Sequence, residues 1–195
     1  MRGCPILGAA LLGLCLAACN PAGAPFEGSD VTGAAFGRDF HLTDHNGKPR
    51  SLADFRGQAV VVFFGYTQCP DYCPTTLSEL AAAMTRLGAE ASRVQVLFVT
   101  IDPERDTREV LAQYVPAFNP TFLGLYGDEQ ATAATAKEFK VIYEKRPGPT
   151  PGSYTMDHSA GTFIFDPKGR LRVFESYGRG PDVLAHDLDA VLKSG

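Results

Sequence analysis

The sequence predicts an α/β fold: a mixed central sheet flanked by helices. Three observations predict it. Two apolar runs, Ala59 to Phe64 and Val94 to Ile101, are rich in β-branched and aromatic residues, as in strands buried on both faces. Apolar residues at helical spacing follow each of them. The chain then turns to a hairpin and a closing helix, a pattern that packs helices against a partly parallel sheet.

The elements follow in order. Phe40 and Leu42 alternate with polar neighbours, and Asn46-Gly47 is a hairpin signal. The Ala59–Phe64 strand leads to a helix carrying Leu77, Leu80, Met84 and Leu87 on one face. After Val94–Ile101, Asp106 with Glu109 resembles a capping box ahead of Val110, Leu111 and Tyr114. Thr121 to Leu125 reads as a short strand, and Glu129 to Phe139 as an Ala-rich helix capped by Asp128. Val141 to Tyr143 is strand-like, and Pro147 to Gly152 breaks the chain. Gly161 to Phe165 and Leu171 to Phe174 pair antiparallel about the turn Asp166-Pro167-Lys168-Gly169. Pro181 opens a last helix bearing Leu184, Leu188 and Val191. There is no internal repeat and no second domain.

The 195 residues, 45% of them hydrophobic, suffice for one domain with a proper core. The net charge is −4, and no basic block interleaves with aromatics, which excludes nucleic acid as the expected partner. Arg2 precedes an apolar stretch from Ile6 to Ala18, the shape of a secretory signal. It ends Leu16-Ala17-Ala18-Cys19, which resembles the lipobox of bacterial lipoproteins. The expected division is a signal at 1–18, a flexible tether at 19–37 with Cys19 lipidated, and a domain at 38–195. The tether is rich in Ala, Gly and Pro and would span roughly 20–25 Å. Cys4 and Cys15 leave with the signal, so of five cysteines only Cys69 and Cys73 stay free.

These two sit in Phe63-Phe64-Gly65-Tyr66-Thr67-Gln68-Cys69-Pro70-Asp71-Tyr72-Cys73-Pro74, between a strand and a helix. Proline suits the first helical position, so Pro74 is expected there with Cys73 as cap. Both thiols would then feel the unpaired N–H groups of the helix start, which favour thiolate. A pair so close in sequence closes almost no loop, so a disulfide between Cys69 and Cys73 would add little stability. Its role is chemical: the pair can exchange disulfides or hold one soft metal ion.

Two sulfurs want a third ligand. His158, in Met156-Asp157-His158-Ser159, is the best candidate, in a loop entering the Gly161 strand. Asp157 is placed to orient it or to attract a cation. His41 and His45 flank the first hairpin and are expected to face water; His186 belongs to the polar side of the last helix. None of these three is assigned to the site. Thiolate and imidazole select Cu(I), Cu(II) or Zn(II), and the ligands alone leave zinc open.

The run Gly65 to Leu77 closely resembles the signature of the Sco/SenC copper chaperones. Asp102-Pro103-Glu104-Arg105-Asp106-Thr107 matches that family's acidic segment, and Asp157-His158-Ser159 its histidine loop. The likeness runs from about Phe40 to Leu192. It implies a thioredoxin-like fold, with copper held by Cys69, Cys73 and His158. It implies a metallochaperone that assists assembly of the binuclear copper centre of cytochrome c oxidase subunit II. That subunit, a copper donor protein and a membrane reached through the lipid anchor are the implied partners. The implied place is the periplasmic side of a bacterial membrane, the inner one if the oxidase is the client. Asp102 is a further site candidate near a strand end.

The alternative is a thiol–disulfide oxidoreductase that reduces an acceptor's cysteines or serves redox defence or signalling. Cys69 would then attack and Cys73 resolve. Thioredoxins carry Trp-Cys-x-x-Cys, whereas this chain has no tryptophan and three residues between its cysteines. Peroxiredoxins place a threonine three residues before their cysteine, whereas Thr67 is two before Cys69.

Overall fold

The structure, a computed structural model, describes residues 26–194. The signal and Cys19 lie outside the described residues. Eight strands form one sheet: β1 (Ser29–Asp30), β2 (Leu42–Asp44), β3 (Pro49–Arg50), β4 (Ala59–Gly65), β5 (Val94–Thr100), β6 (Leu123–Tyr126), β9 (Gly161–Phe165) and β10 (Leu171–Ser176). Between β6 and β9 lies a hairpin of β7 (Tyr143–Pro147) and β8 (Tyr154–His158), which forms a separate two-stranded sheet. The helices are α1 (Tyr72–Leu87), α2 (Arg108–Tyr114), α3 (Glu129–Glu138) and α4 (Gly180–Ser194).

Across the large sheet the order is β1-β10-β9-β4-β5-β6-β2-β3. β4, β5 and β6 run parallel, and the remaining pairings are antiparallel, so the mixed sheet expected from sequence is present. β4 is central and every residue in it is buried, as its uninterrupted apolar run requires. α1 packs along α4, and α4 in turn covers β4, β9 and β10. Phe64, Phe139 and Phe163 meet tilted or edge-on at 5.1–6.1 Å between ring centroids, which fills the core behind the site end of β4.

Turn chemistry held where it was local. At Asn46-Gly47 the glycine takes φ of 86° and its N–H donates to the Asp44 carbonyl. At Asp166 the carboxylate accepts the Lys168 and Arg170 N–H groups and binds the Arg170 and Arg172 side chains.

Several expectations need correction. Residues 26–37 of the expected tether lie on the domain. β1 pairs with β10, the Glu27 and Gly28 N–H groups donate to the buried Asp187 carboxylate, and Phe26, Val31 and Phe36 pack on the core. Scattered apolar residues in a Gly/Pro-rich segment were enough to dock it. α2 is capped by Thr107, whose side chain accepts the Val110 N–H; Asp106 is buried instead. Asp106 accepts from the Thr67 N–H, the Thr67 hydroxyl and the Thr100 hydroxyl, tying the cysteine loop to the end of β5. His45 is buried, its Nδ1 accepting the Gly124 N–H at 3.0 Å, and desolvation lowers its pKa. His41 is exposed as expected. His186 is part-exposed and pairs with Asp187 through Nδ1 at 2.7 Å. Among the described residues no helix is long and apolar enough to cross a membrane.

Candidate metal centre

β4 ends at Gly65, where a side chain has no room. A Cβ would lie 2.7 Å from Cys73 Sγ and 2.9 Å from the Phe98 ring. The chain then loops over residues 66–71 and enters α1 at Tyr72, with Asp71 in the cap position. Pro74 is thus the third helical residue and Cys73 the second, two positions deeper than expected. The proline is still tolerated, since the first four N–H groups have no intrahelical partner. Cys73, in the same first turn, has its N–H free to donate to Cys69 Sγ at 3.4 Å.

Cys69 and Cys73 are both free thiols and both buried, Cys73 completely. They are not equivalent. The Cys73 thiol hydrogen-bonds Cys69 and brings the Cys69 pKa down to about 4, against the burial penalty. The His158 side chain and the Cys73 and Asp71 N–H groups add to that. The same hydrogen bond, with burial, pushes the Cys73 thiol far up. The helix start therefore supports one thiolate, at Cys69, with Cys73 as its proton-bearing partner. The expectation that both thiols would be favoured as thiolates is corrected to one.

His158 ends a strand, β8, and not a loop as expected. The β7–β8 hairpin runs through the segment read as a Pro/Gly break, with Tyr143 opposite His158. Its Nδ1 lies 3.0 Å from the Ser159 carbonyl. A carbonyl only accepts, so Nδ1 carries a proton, and Nε2 is the ring nitrogen left to face Cys69 or a metal. His158 and Cys69 line one pocket of about 410 Å³, with Tyr66, Pro70, Tyr72 and Met156. The Tyr66 ring meets the His158 ring edge-on, centroids 6.2 Å apart.

The two acidic candidates sit differently. Asp157 borders the pocket, but its carboxylate pairs with Arg146 at 3.0 Å and is exposed. Asp102 is buried and touches neither sulfur. Its Oδ2 binds Arg105 Nε at 2.5 Å and its Oδ1 accepts the Tyr154 hydroxyl at 2.7 Å. Sequence reasoning missed Arg105, Tyr154 and Tyr66. Arg105 was legible only as a charge in the acidic segment, and Tyr154 lies just past the supposed break, in a stretch assigned to no element.

The structure brings Cys69, Cys73 and His158 to the same end of β4. Among the described residues, no three His, Cys, Asp or Glu side chains yet converge tightly enough to hold an ion. Two sulfurs and one imidazole are nevertheless the donor set a soft or borderline metal prefers.

Similar proteins carry the same framework. The SCO1/SenC family model matches residues 29–193. The human mitochondrial protein SCO2 homolog is 42% identical over 149 residues, which covers 75% of this chain and 55% of that protein. The chain thus spans little more than half the length of such curated relatives. The structure of Bradyrhizobium japonicum ScoI with copper bound superposes with a TM-score of 0.74 at 38% identity, covering 81% of this chain and 100% of that one. Apo Sco1 from Thermus thermophilus gives a TM-score of 0.75 at 40% identity, covering 88% and 99%. The family model spans the sheet, the cysteine loop and the β7–β8 hairpin, nearly all the described residues, and this chain belongs to the SCO1/SenC family.

Proposed function

We propose that this protein binds copper as cargo and assists assembly of the binuclear copper centre of cytochrome c oxidase subunit II. Cys69, Cys73 and His158 would hold the ion. The observation that carries the reading is the shared pocket: a thiolate at Cys69, a second thiol beside it, and an imidazole whose Nε2 is left to face them. Cu(I) and Cu(II) both suit this set, since thiolate sulfur is soft and imidazole borderline. Cys73 must lose its proton to bind, so capture releases protons and strengthens as pH rises. The copper in the Bradyrhizobium relative supports the cargo.

The test is a copper titration of the reduced, soluble domain. One equivalent should bind tightly, and Cys69→Ser, Cys73→Ser and His158→Ala should each weaken binding. Undiminished binding in one variant would remove that residue from the site. The thiol–disulfide oxidoreductase alternative is less supported, because an imidazole over the thiolate serves metal capture better than exchange. It requires a trapped mixed disulfide in Cys73→Ser and full activity in His158→Ala.

The reading extends to placement. Cys19 would carry lipid after removal of residues 1–18, tethering the domain to the periplasmic face of a bacterial inner membrane, where a copper donor and the oxidase are met. Radiolabelled palmitate in the chain, absent from Cys19→Ala, is the expected result. Label persisting in that variant would contradict it.

A further inference from the structure

The β7–β8 hairpin bears His158 but is not hydrogen-bonded into the large sheet. Something else must fix its distance from Cys69. The candidates are few. At the surface, Lys145 Nζ pairs with Glu104 at 2.6 Å, both half-exposed, a contact of little worth. Beneath it lies Arg105, one guanidinium that touches three elements. Its Nε binds buried Asp102 at 2.5 Å. Its Nη1 donates to the Tyr154 carbonyl at 2.8 Å and to Gln68 Oε1 at 3.1 Å. Gln68 is the neighbour of Cys69, and Tyr154 opens β8. The guanidinium also lies 3.6 Å from the centroid of the Tyr154 ring, whose hydroxyl returns to Asp102.

We propose that Arg105 is a positioning residue that sets the reach of His158 to the two sulfurs, by clamping the start of β8 to Asp102 and to the cysteine loop. This rests on the copper-site reading above. The clamp grips Tyr154, and His158 lies at the other end of the strand, about 13 Å on at 3.3 Å per residue. The far end is held more lightly: Ser159 N–H to the Ile142 carbonyl at 2.9 Å and Ile142 N–H to Ser159 Oγ at 3.1 Å. β8 is therefore a short lever with its fulcrum at Arg105, steadied midway by Met156, which is buried in the core. A fixed fulcrum limits the conformations His158 searches as the three side chains close on an ion. Lysine cannot replace arginine here, since a single ammonium cannot bridge Asp102, Gln68 and the Tyr154 carbonyl together.

A double-mutant cycle tests this. Copper affinity is measured by competition with a Cu(I) chelator for wild type, Arg105→Gln, His158→Ala and the double variant. Arg105→Gln should weaken binding about tenfold when His158 is present, in the range of residues that orient ligands. It should weaken it less than twofold when His158 is already alanine. Equal losses in both backgrounds, or none in either, would overturn the proposal. If His158→Ala binds as tightly as wild type, the copper site itself is misassigned and the proposal falls with it. A metal-free readout is independent of that outcome. In Arg105→Gln, amide exchange should quicken across residues 143–158 and stay unchanged in β4 and β5; unchanged exchange in the hairpin refutes the clamp. Tyr154→Phe keeps the ring stack and loses one hydrogen bond, so its effect should have the same sign and be smaller; a loss equal to that of Arg105→Gln would contradict the fulcrum.

Discussion

The reduced, metal-free protein should show one thiol that is ionised far below the ordinary range. Cys69 is brought down to about 4 chiefly by the Cys73 hydrogen bond, then by His158 and two backbone N–H groups. At pH 6 a thiol of pKa 4 is about 99% thiolate, and an ordinary thiol of pKa 8.5 about 0.3%. From pH 6 to 8 the ordinary thiol would therefore react about 75-fold faster, while Cys69 would gain roughly 1%. The absolute rate is a poor test. A thiolate 4.5 units less basic is roughly a hundredfold weaker as a nucleophile at a Brønsted slope of 0.4–0.5, which cancels most of its abundance. The profile is the test. Iodoacetamide labelling followed by mass spectrometry should give a flat rate at Cys69 between pH 6 and 8, with Cys73 unlabelled. Burial slows access equally at every pH and leaves the shape alone. Cys73→Ala should raise the Cys69 midpoint more than His158→Ala does. A wild-type rate that climbs tenfold per pH unit, or a larger shift in His158→Ala, would refute the assignment.

Three further outcomes follow from packing and burial. Gly65→Ala forces a Cβ against Cys73 Sγ and Phe98, so it should cost about 1–3 kcal/mol in chemical denaturation and weaken copper binding; wild-type values for both would show the close approach is not binding. Glu175 is held up at about 8 by burial and the neighbouring Asp187 carboxylate, so its protonated form favours the fold. That contribution is complete below the ordinary glutamate range and is lost as pH rises through 8; Glu175→Gln should flatten stability between pH 5 and 8 and exceed wild type at pH 9 by about 1–3 kcal/mol, and an unchanged pH slope would contradict it. Asp187→Ala removes the acceptor of the Glu27 and Gly28 N–H groups, so residues 26–31 should exchange amide protons faster and be clipped by protease sooner; wild-type protection there would count against the docked segment.

The central sheet and both thiols were legible because their signals are local. β4 and β5 announce themselves as unbroken apolar runs, and the cysteine loop lies between a strand and a helix whose periods differ. The β7–β8 hairpin was not legible. Glu144, Lys145 and Arg146 are all exposed, so the strand shows no buried alternation, and its pairing partner starts beyond a proline-rich turn. His158 was found from its chemistry while its strand was missed. His45 was read as a surface residue because no sequence signal marks the Gly124 N–H that it accepts. Asp106 was read as a cap because its true partners are Thr100, at the end of β5, and Thr67, on a distant loop that the parallel β4–β5 register brings alongside. The same blindness to long-range partners hid Arg105, whose three contacts belong to three separate segments.

The central claim is that two sulfurs and one imidazole nitrogen hold the copper. X-ray absorption at the copper edge, on the reduced domain loaded with one equivalent, tests it most directly. The account predicts two sulfur scatterers and one nitrogen with imidazole outer features, the nitrogen vanishing in His158→Ala and one sulfur in Cys73→Ser. A copper environment unchanged by His158→Ala, or one without sulfur, would contradict it.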